Sequence, residues 1–412
     1  REKKILSGHD ISAGGMITAL LEMCFADNRS GLNIDLSALK VEDTVKLLFS
    51  ENPGLILQVQ KPGEMVKYLA DKDIESHFIG RVNTARTFDF KNQEYTTSFE
   101  IDKLRDDWYR TSYLLDRKQC GDQLALERYN NYKTQPLEFN FNSGFTGRAE
   151  QFGINRNRRE PSGAKAAIIR EKGVNGDREM AYSLYLAGFD VKDVHMTDLI
   201  AGRETLEDIQ MIVFVGGFSN SDVLGSAKGW AGAFLYNEKA KLALDNFYGR
   251  DDTLSLGICN GCQLMMELGL VTTGHQDKPG MLHNASHKFE SAFLNVEIGE
   301  NHSVMLSSMA GSRLGIWVAH GEGQFSFPYA ENKYHIPVKY SYGQYPGNPN
   351  GSQFDAAGLC SDDGRHLVMM PHLERAYLPW QCGYYPDERK EDEATPWLEA
   401  FVNARKWCES PN

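Results

Sequence analysis

The chain has 412 residues, a formal net charge of −12, 41% hydrophobic and 11% aromatic residues. At ~150 residues per domain this length implies two to three domains, and the acidic balance excludes a nonspecific nucleic-acid binder, which needs a basic face to neutralise phosphates. With no apolar run approaching the ~18 residues of a membrane span, no apolar signal-peptide core in REKKILSGHD and seven scattered cysteines, the expectation is a soluble, intracellular protein of the reducing cytoplasm.

The chain opens at Arg1 and enters a Gly-rich motif within a dozen residues, which reads as part of a longer polypeptide. HDISAGG (His9 to Gly15) reads as a turn, and MITALLEMCFA (Met16 to Ala26) as a helix, because its apolar residues recur every three or four positions. LILQVQ (Leu55 to Gln60) alternates like a strand, KPGEMVKYLADK follows with Pro62 near a helix start, and FIGRVN (Phe78 to Asn83) is another strand. Residues 1–100 are thus an α+β region. Residues 101–163 form a polar, aromatic helical segment and linker: Trp108 to Tyr132 reads as one or two helices, and NRNRREPSG (Asn155 to Gly163) as the clearest linker.

Residues 164–412 change pattern again. AKAAIIRE is a strand, REMAYSLYLAGF a helix, DVKDVHM and MIVFVGG further strands, and SLGICN a strand running into the helix GCQLMMELG. Strands alternating with helices predict a parallel α/β sheet. GIWVAHGEG and HLVMMPH add strand-like runs near the end.

Three constellations carry chemistry. Gly257-Ile258-Cys259-Asn260-Gly261 has the form of a nucleophile elbow, with small residues where the chain must turn sharply between strand and helix. A helix N-terminus there favours a thiolate and places the Asn260 N–H to donate to an oxyanion formed at Cys259. The same segment also reads as a redox C-x-x-C through Cys262, whereas a zinc site would need two further ligands, so no metal is expected. In Met370-Pro371-His372-Leu373-Glu374 an extended backbone would put His372 and Glu374 on one side, where a carboxylate orients an imidazole that serves Cys259 as base and then as acid. Gly216-Gly217-Phe218-Ser219 ends a strand and is positioned to give a second oxyanion N–H from Gly217 or Phe218, or is a tight βα turn.

These residues resemble the class I, triad-type glutamine amidotransferases. GVNGDREMAYSLYLAGF, VHMTDLIAGR, GGFSNSDVLGSAKGWA, GICNGCQ, KFES, VAHGEGQF, YPGNPNGS and MMPHLER, in that order, are similar to the large formylglycinamide ribonucleotide amidotransferase family. HDISAGGMITALLEMCFA is similar to a lobe of that family's synthetase half. The resemblance implies a parallel-sheet glutaminase domain preceded by an α+β synthetase-type lobe. It implies Cys259 as nucleophile, His372 as base, Glu374 as its orienter, Gly217 and Asn260 as oxyanion donors, and Gln263 with Phe289 and Ser291 at the substrate glutamine. Partners implied are glutamine, upstream synthetase domains and formylglycinamide ribonucleotide, with no nucleic acid or membrane. The glutaminase would need no cofactor, and the complete synthetase would use ATP and magnesium. Three departures stand out: Asn220-Ser221 where Tyr-Gly is usual, His287 where glycine is common, and Leu373 for a usual proline. A thiol hydrolase with the same Cys–His–Glu set and a non-catalytic docking module are the competing functions.

Overall fold

The computed structural model describes residues 4–27 and 29–410, so the extreme ends of the first and last expected regions lie outside the described residues. The chain divides into two compact units, Arg1–Asp116 and Arg117–Asn412. The division falls inside the expected helical segment, and the second unit takes in residues 117–163.

Unit 1 is α+β. Its strands are β1 (Ile5–Ile11), β2 (Gly31–Asp35), β3 (Gly54–Val59), β4 (Gly80–Asn83), β5 (Thr87–Asn92) and β6 (Tyr95–Glu100). Its helices are α1 (Gly15–Phe25), α2 (Thr44–Phe49) and α3 (Pro62–Ala70). β1 pairs antiparallel with β3, and a second sheet has the order β4-β2-β5-β6. The expected turn at His9 is corrected here. His9, Asp10 and Ile11 belong to β1, and the turn is confined to Ser12–Gly14. The alternating run of β3 needed a partner, and the polar HDI supplies it through backbone bonds that do not depend on side-chain character. Pro62 opens α3, where its missing N–H costs nothing. A long helix, α4 (Ile101–Asn131), follows and is interrupted at Gly121, whose φ of 82° and ψ of 170° no helix contains.

Unit 2 is built on a six-stranded sheet. Its elements in chain order are β7 (Lys165–Arg170), α5 (Asp177–Ala187), β8 (Asp190–His195), α6 (Met196–Ala201), β9 (Met211–Phe214), α7 (Lys228–Tyr236), α8 (Glu238–Tyr248), β10 (Leu254–Ile258) and α9 (Asn260–Leu268). Then follow β11 (Gly280–Leu282), β12 (Glu290–Ile298), β13 (Arg313–His320), β14 (Gln324–Ser326), β15 (Val338–Tyr340), β16 (Gly358–Cys360), β17 (His366–Met369) and α10 (Trp397–Glu409). The sheet order is β16-β17-β10-β9-β7-β8, parallel except for the edge pair β16–β17. β9 and β10 are buried along their whole length, as central strands covered on both faces must be. Phe214 at the end of β9 meets Trp230 and Phe234 edge-to-face at 5.7 and 6.0 Å, fixing α7 beneath the strand that leads into Gly216. A separate antiparallel sheet, β13-β12-β15, carries the GIWVAH run. The expected linker is packed rather than free: Arg158 pairs with Asp190 at 2.7 Å, and the Tyr185 hydroxyl donates to the Arg158 carbonyl at 2.6 Å.

Candidate active site

β10 ends at Cys259, which holds φ 53° and ψ −107° before α9 begins at Asn260. A β-carbon on Gly257 would stand 2.6 Å from the Gly261 oxygen, and one on Gly261 would stand 2.0 Å from the Phe214 oxygen. The two glycines are therefore sterically required on either side of the turn. The Cys259 N–H donates to the Met369 carbonyl at 2.9 Å, tying the elbow to β17. The side chain is only 5% exposed, and its Sγ donates to the Ala319 carbonyl at 3.6 Å.

His372 and Glu374 are brought together, but not by extended alternation. His372 caps a short 3-10 turn, Leu373–Arg375, that contains Glu374. The turn folds Glu374 back so that Oε1 accepts from His372 Nδ1 at 2.6 Å. His372 itself stays extended, bridging antiparallel to Trp317 of β13, whose carbonyl takes its N–H at 2.9 Å, and the chain leaves strand geometry at Leu373. Both side chains are buried, and Arg375 lies 3.7 Å from the same Glu374 oxygen. Burial alone would lower the imidazole pKa. The Glu374 carboxylate and the neighbouring Cys259 outweigh it and push His372 up to about 9. A β-carbon on Gly216 would meet His372 Cε1 at 2.9 Å and Cys259 Cβ at 3.2 Å, so ring and thiol flank the same glycine. Cys259 is close enough to His372 to help raise the imidazole pKa, while the Cys259 Sγ donates to Ala319 and His372 Nε2 has no geometric hydrogen bond among the described residues.

In the loop after β9 the N–H groups of Gly217 and Phe218 differ in their partners. The Phe218 N–H is occupied by the Gly173 carbonyl at 3.0 Å. Among the described residues no partner is found for the N–H of Gly217 or of Asn260. Gly217 has φ +120°, and a β-carbon there would stand 2.5 Å from Val174 Cα. Asn220, Ser221 and Asp222 then take left-handed φ values of 51°, 57° and 48°. Two of the noted departures fall on such positions: Ser221 and His287, the latter at φ 54°, are left-handed where glycine would be unstrained.

Gln263 lines a cavity of about 580 Å³ with Asp222, Ser226, Met266, His283 and Glu322. Burial, reinforced by the Glu322 carboxylate, raises Asp222 above the ordinary carboxylate range. Phe289 and Ser291 are not among the residues lining this cavity. Phe289 is half exposed with its ring 6.1 Å from Phe218, and Ser291 pairs in register with Ala319. Cys262 is fully buried, and burial followed by the nearby Cys259 pushes its thiol well above its usual range, which suits a core residue rather than a redox partner. His320 was not singled out by the sequence, although VAHGEGQF contains it. Burial, then the charge of His372, holds it down to about 3, so it stays neutral and does not compete for the proton on His372. Among the described residues no group of three His, Cys, Asp or Glu side chains converges as metal ligands would, and no helix is long and apolar enough to cross a membrane.

A mostly parallel sheet that delivers a cysteine at a strained strand-to-helix turn defines an α/β domain of the nucleophile-elbow class. Residues 163–408 match the model of the CobB/CobQ-like glutamine amidotransferase domain, and the chain belongs to that family. Residues 1–91 match the C-terminal domain of AIR synthase related proteins. The chain is 40% identical to a probable phosphoribosylformylglycinamidine synthase of Arabidopsis thaliana, described as chloroplastic/mitochondrial, over 99% of this chain and 30% of that protein. It is 38% identical to phosphoribosylformylglycinamidine synthase of Homo sapiens over 99% of this chain and 32% of that protein. The solved PurLQS structure from Thermotoga maritima is 25% identical, with a TM-score of 0.47, over 60% of this chain and 99% of that chain. The chain thus spans about a third of the length of the curated relatives it matches.

Proposed function

We propose that unit 2 hydrolyses glutamine to glutamate and ammonia, with Cys259 as nucleophile, His372 as acid–base and Glu374 as its orienter. The observation that carries this reading is the buried His372–Glu374 pair beside a cysteine held at a left-handed elbow. The Cys259 sulfur attacks the side-chain amide carbon as the thiolate, its proton having already passed to His372. The strong hold of His372 on a proton gives that proton a place to go. Negative charge gathers on the amide oxygen, where the N–H groups of Gly217 and Asn260 receive it. His372 returns the proton to the leaving nitrogen, and ammonia departs from the thioester. Water then adds to the thioester carbon, giving one proton to His372, and collapse releases glutamate and restores the thiol. Gln263, Phe289 and Ser291 are proposed near the substrate, and of the three only Gln263 lines the cavity.

The names of the relatives support a larger context. In the longer enzyme the ammonia would aminate formylglycinamide ribonucleotide in an ATP-dependent step of purine biosynthesis. Upstream synthetase domains would supply most of that site, and the complete synthetase would use ATP and magnesium. The domain reading is a synthetase-type lobe at 1–100, a helical segment and linker at 101–163, and the glutaminase at 164–412. The seven free cysteines support a reducing compartment such as the cytoplasm.

The test is ammonia release from glutamine by this chain and by its Cys259→Ala variant. Release by the parent and none by the variant is expected. Equal release by both would move the chemistry elsewhere. Amidine formation by residues 1–412 alone, with ATP, would overturn the view that the synthetase site is incomplete here.

A further inference from the structure

One buried side chain lies at the centre of a hydrogen-bond network around the site. Asn260 is fully buried. Its Oδ1 accepts from the Ser219 N–H at 3.1 Å, and its Nδ2 donates to Gln263 Oε1 at 2.9 Å and to Asp222 Oδ1 at 3.2 Å. Gln263 Nε2 donates onward to the Glu322 carbonyl at 2.6 Å. Asp222, Gln263 and Glu322 all line the cavity of about 580 Å³. Ser219, at the other end of the network, lies two residues after Gly217.

We infer that the Asn260 side chain, apart from its backbone N–H, is a positioning residue that couples the cavity to the oxyanion donor at Gly217. This rests on the glutaminase reading. The amino-acid end of glutamine, seated against Asp222, Gln263 and Glu322, would set the Asn260 amide and through it the Ser219 N–H and the Gly217 loop. The loop needs such a hold, because three successive left-handed residues give it little intrinsic preference for this shape. An amide suits this role because its acceptor and donor ends are distinct, so breaking one contact is felt at the other. Binding energy from the unreactive end of the substrate then appears at the reacting end, where small misplacements are costly.

Two reagents that alkylate Cys259 separate coupling from a merely structural role. The chloroketone analogue of glutamine carries the amino-acid end and forms a tetrahedral adduct that uses the oxyanion donors. Iodoacetamide carries neither feature. Labelling of Cys259 in the full chain is followed by mass spectrometry, beside the unfolding midpoint. For Asn260→Ala the chloroketone rate is expected to fall about 100-fold, while the iodoacetamide rate falls far less and the midpoint drops only as the loss of buried hydrogen bonds requires. Asn260→Asp is the second variant should the first fail to fold. It fills the same space and keeps the Ser219 acceptor, but it faces Asp222 and Gln263 Oε1 with a carboxylate, and it too should slow the chloroketone selectively. A chloroketone rate unchanged in either folded variant overturns the coupling. So does an equal slowing of both reagents, which would mean that Asn260 only shapes the elbow. If the chloroketone fails to label Cys259 in the parent chain, the glutaminase reading itself fails and the inference with it.

Discussion

In unit 1, non-glycine residues with left-handed backbone occur singly, at Lys40, Asp73, Arg86 and Gln93, whereas unit 2 has them at Leu206, Ala227, Cys259 and His287, in a pair at Phe354 and Asp355, and three in succession at Asn220, Ser221 and Asp222. The buried polar side chains differ in the same way. Unit 1 buries Asn92, whose Nδ2 donates to the Val41 carbonyl and the Thr44 hydroxyl while its Oδ1 finds no partner among the described residues. Unit 2 buries Asn260, Gln263, His320, His372 and Glu374 around one point, and His372 Nε2 and Glu374 Oε2 find no hydrogen-bond partner among the described residues. Unit 1 breaks local rules of backbone and burial at isolated positions, and unit 2 breaks several of them together at the candidate site.

The sharpest way to break that comparison is to repair unit 2's electrostatics without changing its shape. Glu374→Gln is isosteric but removes the charge that holds the proton on His372. Glutamine hydrolysis should fall roughly a thousandfold, with unit 1 unchanged in hydrogen exchange. A loss of less than tenfold would make the pair structural, like Asn92. Gly217→Ala is next in size. Its methyl group would stand 2.5 Å from Val174 Cα, so the backbone must move and withdraw the N–H. A fall of about a hundredfold in kcat is expected, with KM much less affected. A rise in KM at constant kcat would mean that the loop binds substrate rather than the oxyanion.

The two units should also part company with pH. The folded value of His372, about 9, is raised above its ordinary 6.5. Its contribution to stability is therefore fully present below about 6.5 and is lost as pH rises through about 9. Hydrogen exchange read separately over the two units should show protection around Cys259 and His372 weakening across that window while unit 1 holds steady. In His372→Asn the dependence should flatten. A parent whose unit 2 is equally protected at both ends of the window would contradict the raised value.

What could be read in the sequence was what short-range sterics dictate. Gly257 and Gly261 announce the elbow because no other residue fits beside Cys259, and β7, β9 and β10 announce themselves as apolar runs because both faces are covered. His372 and Glu374 were legible as a pair, but their conformation was not. The 3-10 turn that joins them depends on the Trp317 carbonyl, which lies 55 positions earlier in the sequence. That the Phe218 N–H is occupied depended on the Gly173 carbonyl, and the engagement of Gln263 with Asn260 and Glu322 depended on a loop from β13 to β14. The placing of β1 was missed because its residues are mostly exposed and carry no periodic burial signal.

The smallest effect tests whether the strain in unit 2 is itself useful. Ser221 stands at φ 57°, where a side chain costs roughly 1–2 kcal/mol relative to glycine. Ser221→Gly removes that cost but adds freedom to the unfolded chain, which takes back roughly 0.5–1 kcal/mol. A net gain of about 0.5–1 kcal/mol in denaturant unfolding is expected. His287→Gly, at φ 54°, should give a similar gain. The two should differ in activity. Ser221 lies between Ser219 and Asp222, both held by Asn260, so a looser backbone there should lower kcat by a small factor, whereas His287 lies outside that network and should leave kcat unchanged. Equal kcat in both variants would mean that the strain in the loop is incidental, a relic of sequence in a position where glycine would serve as well.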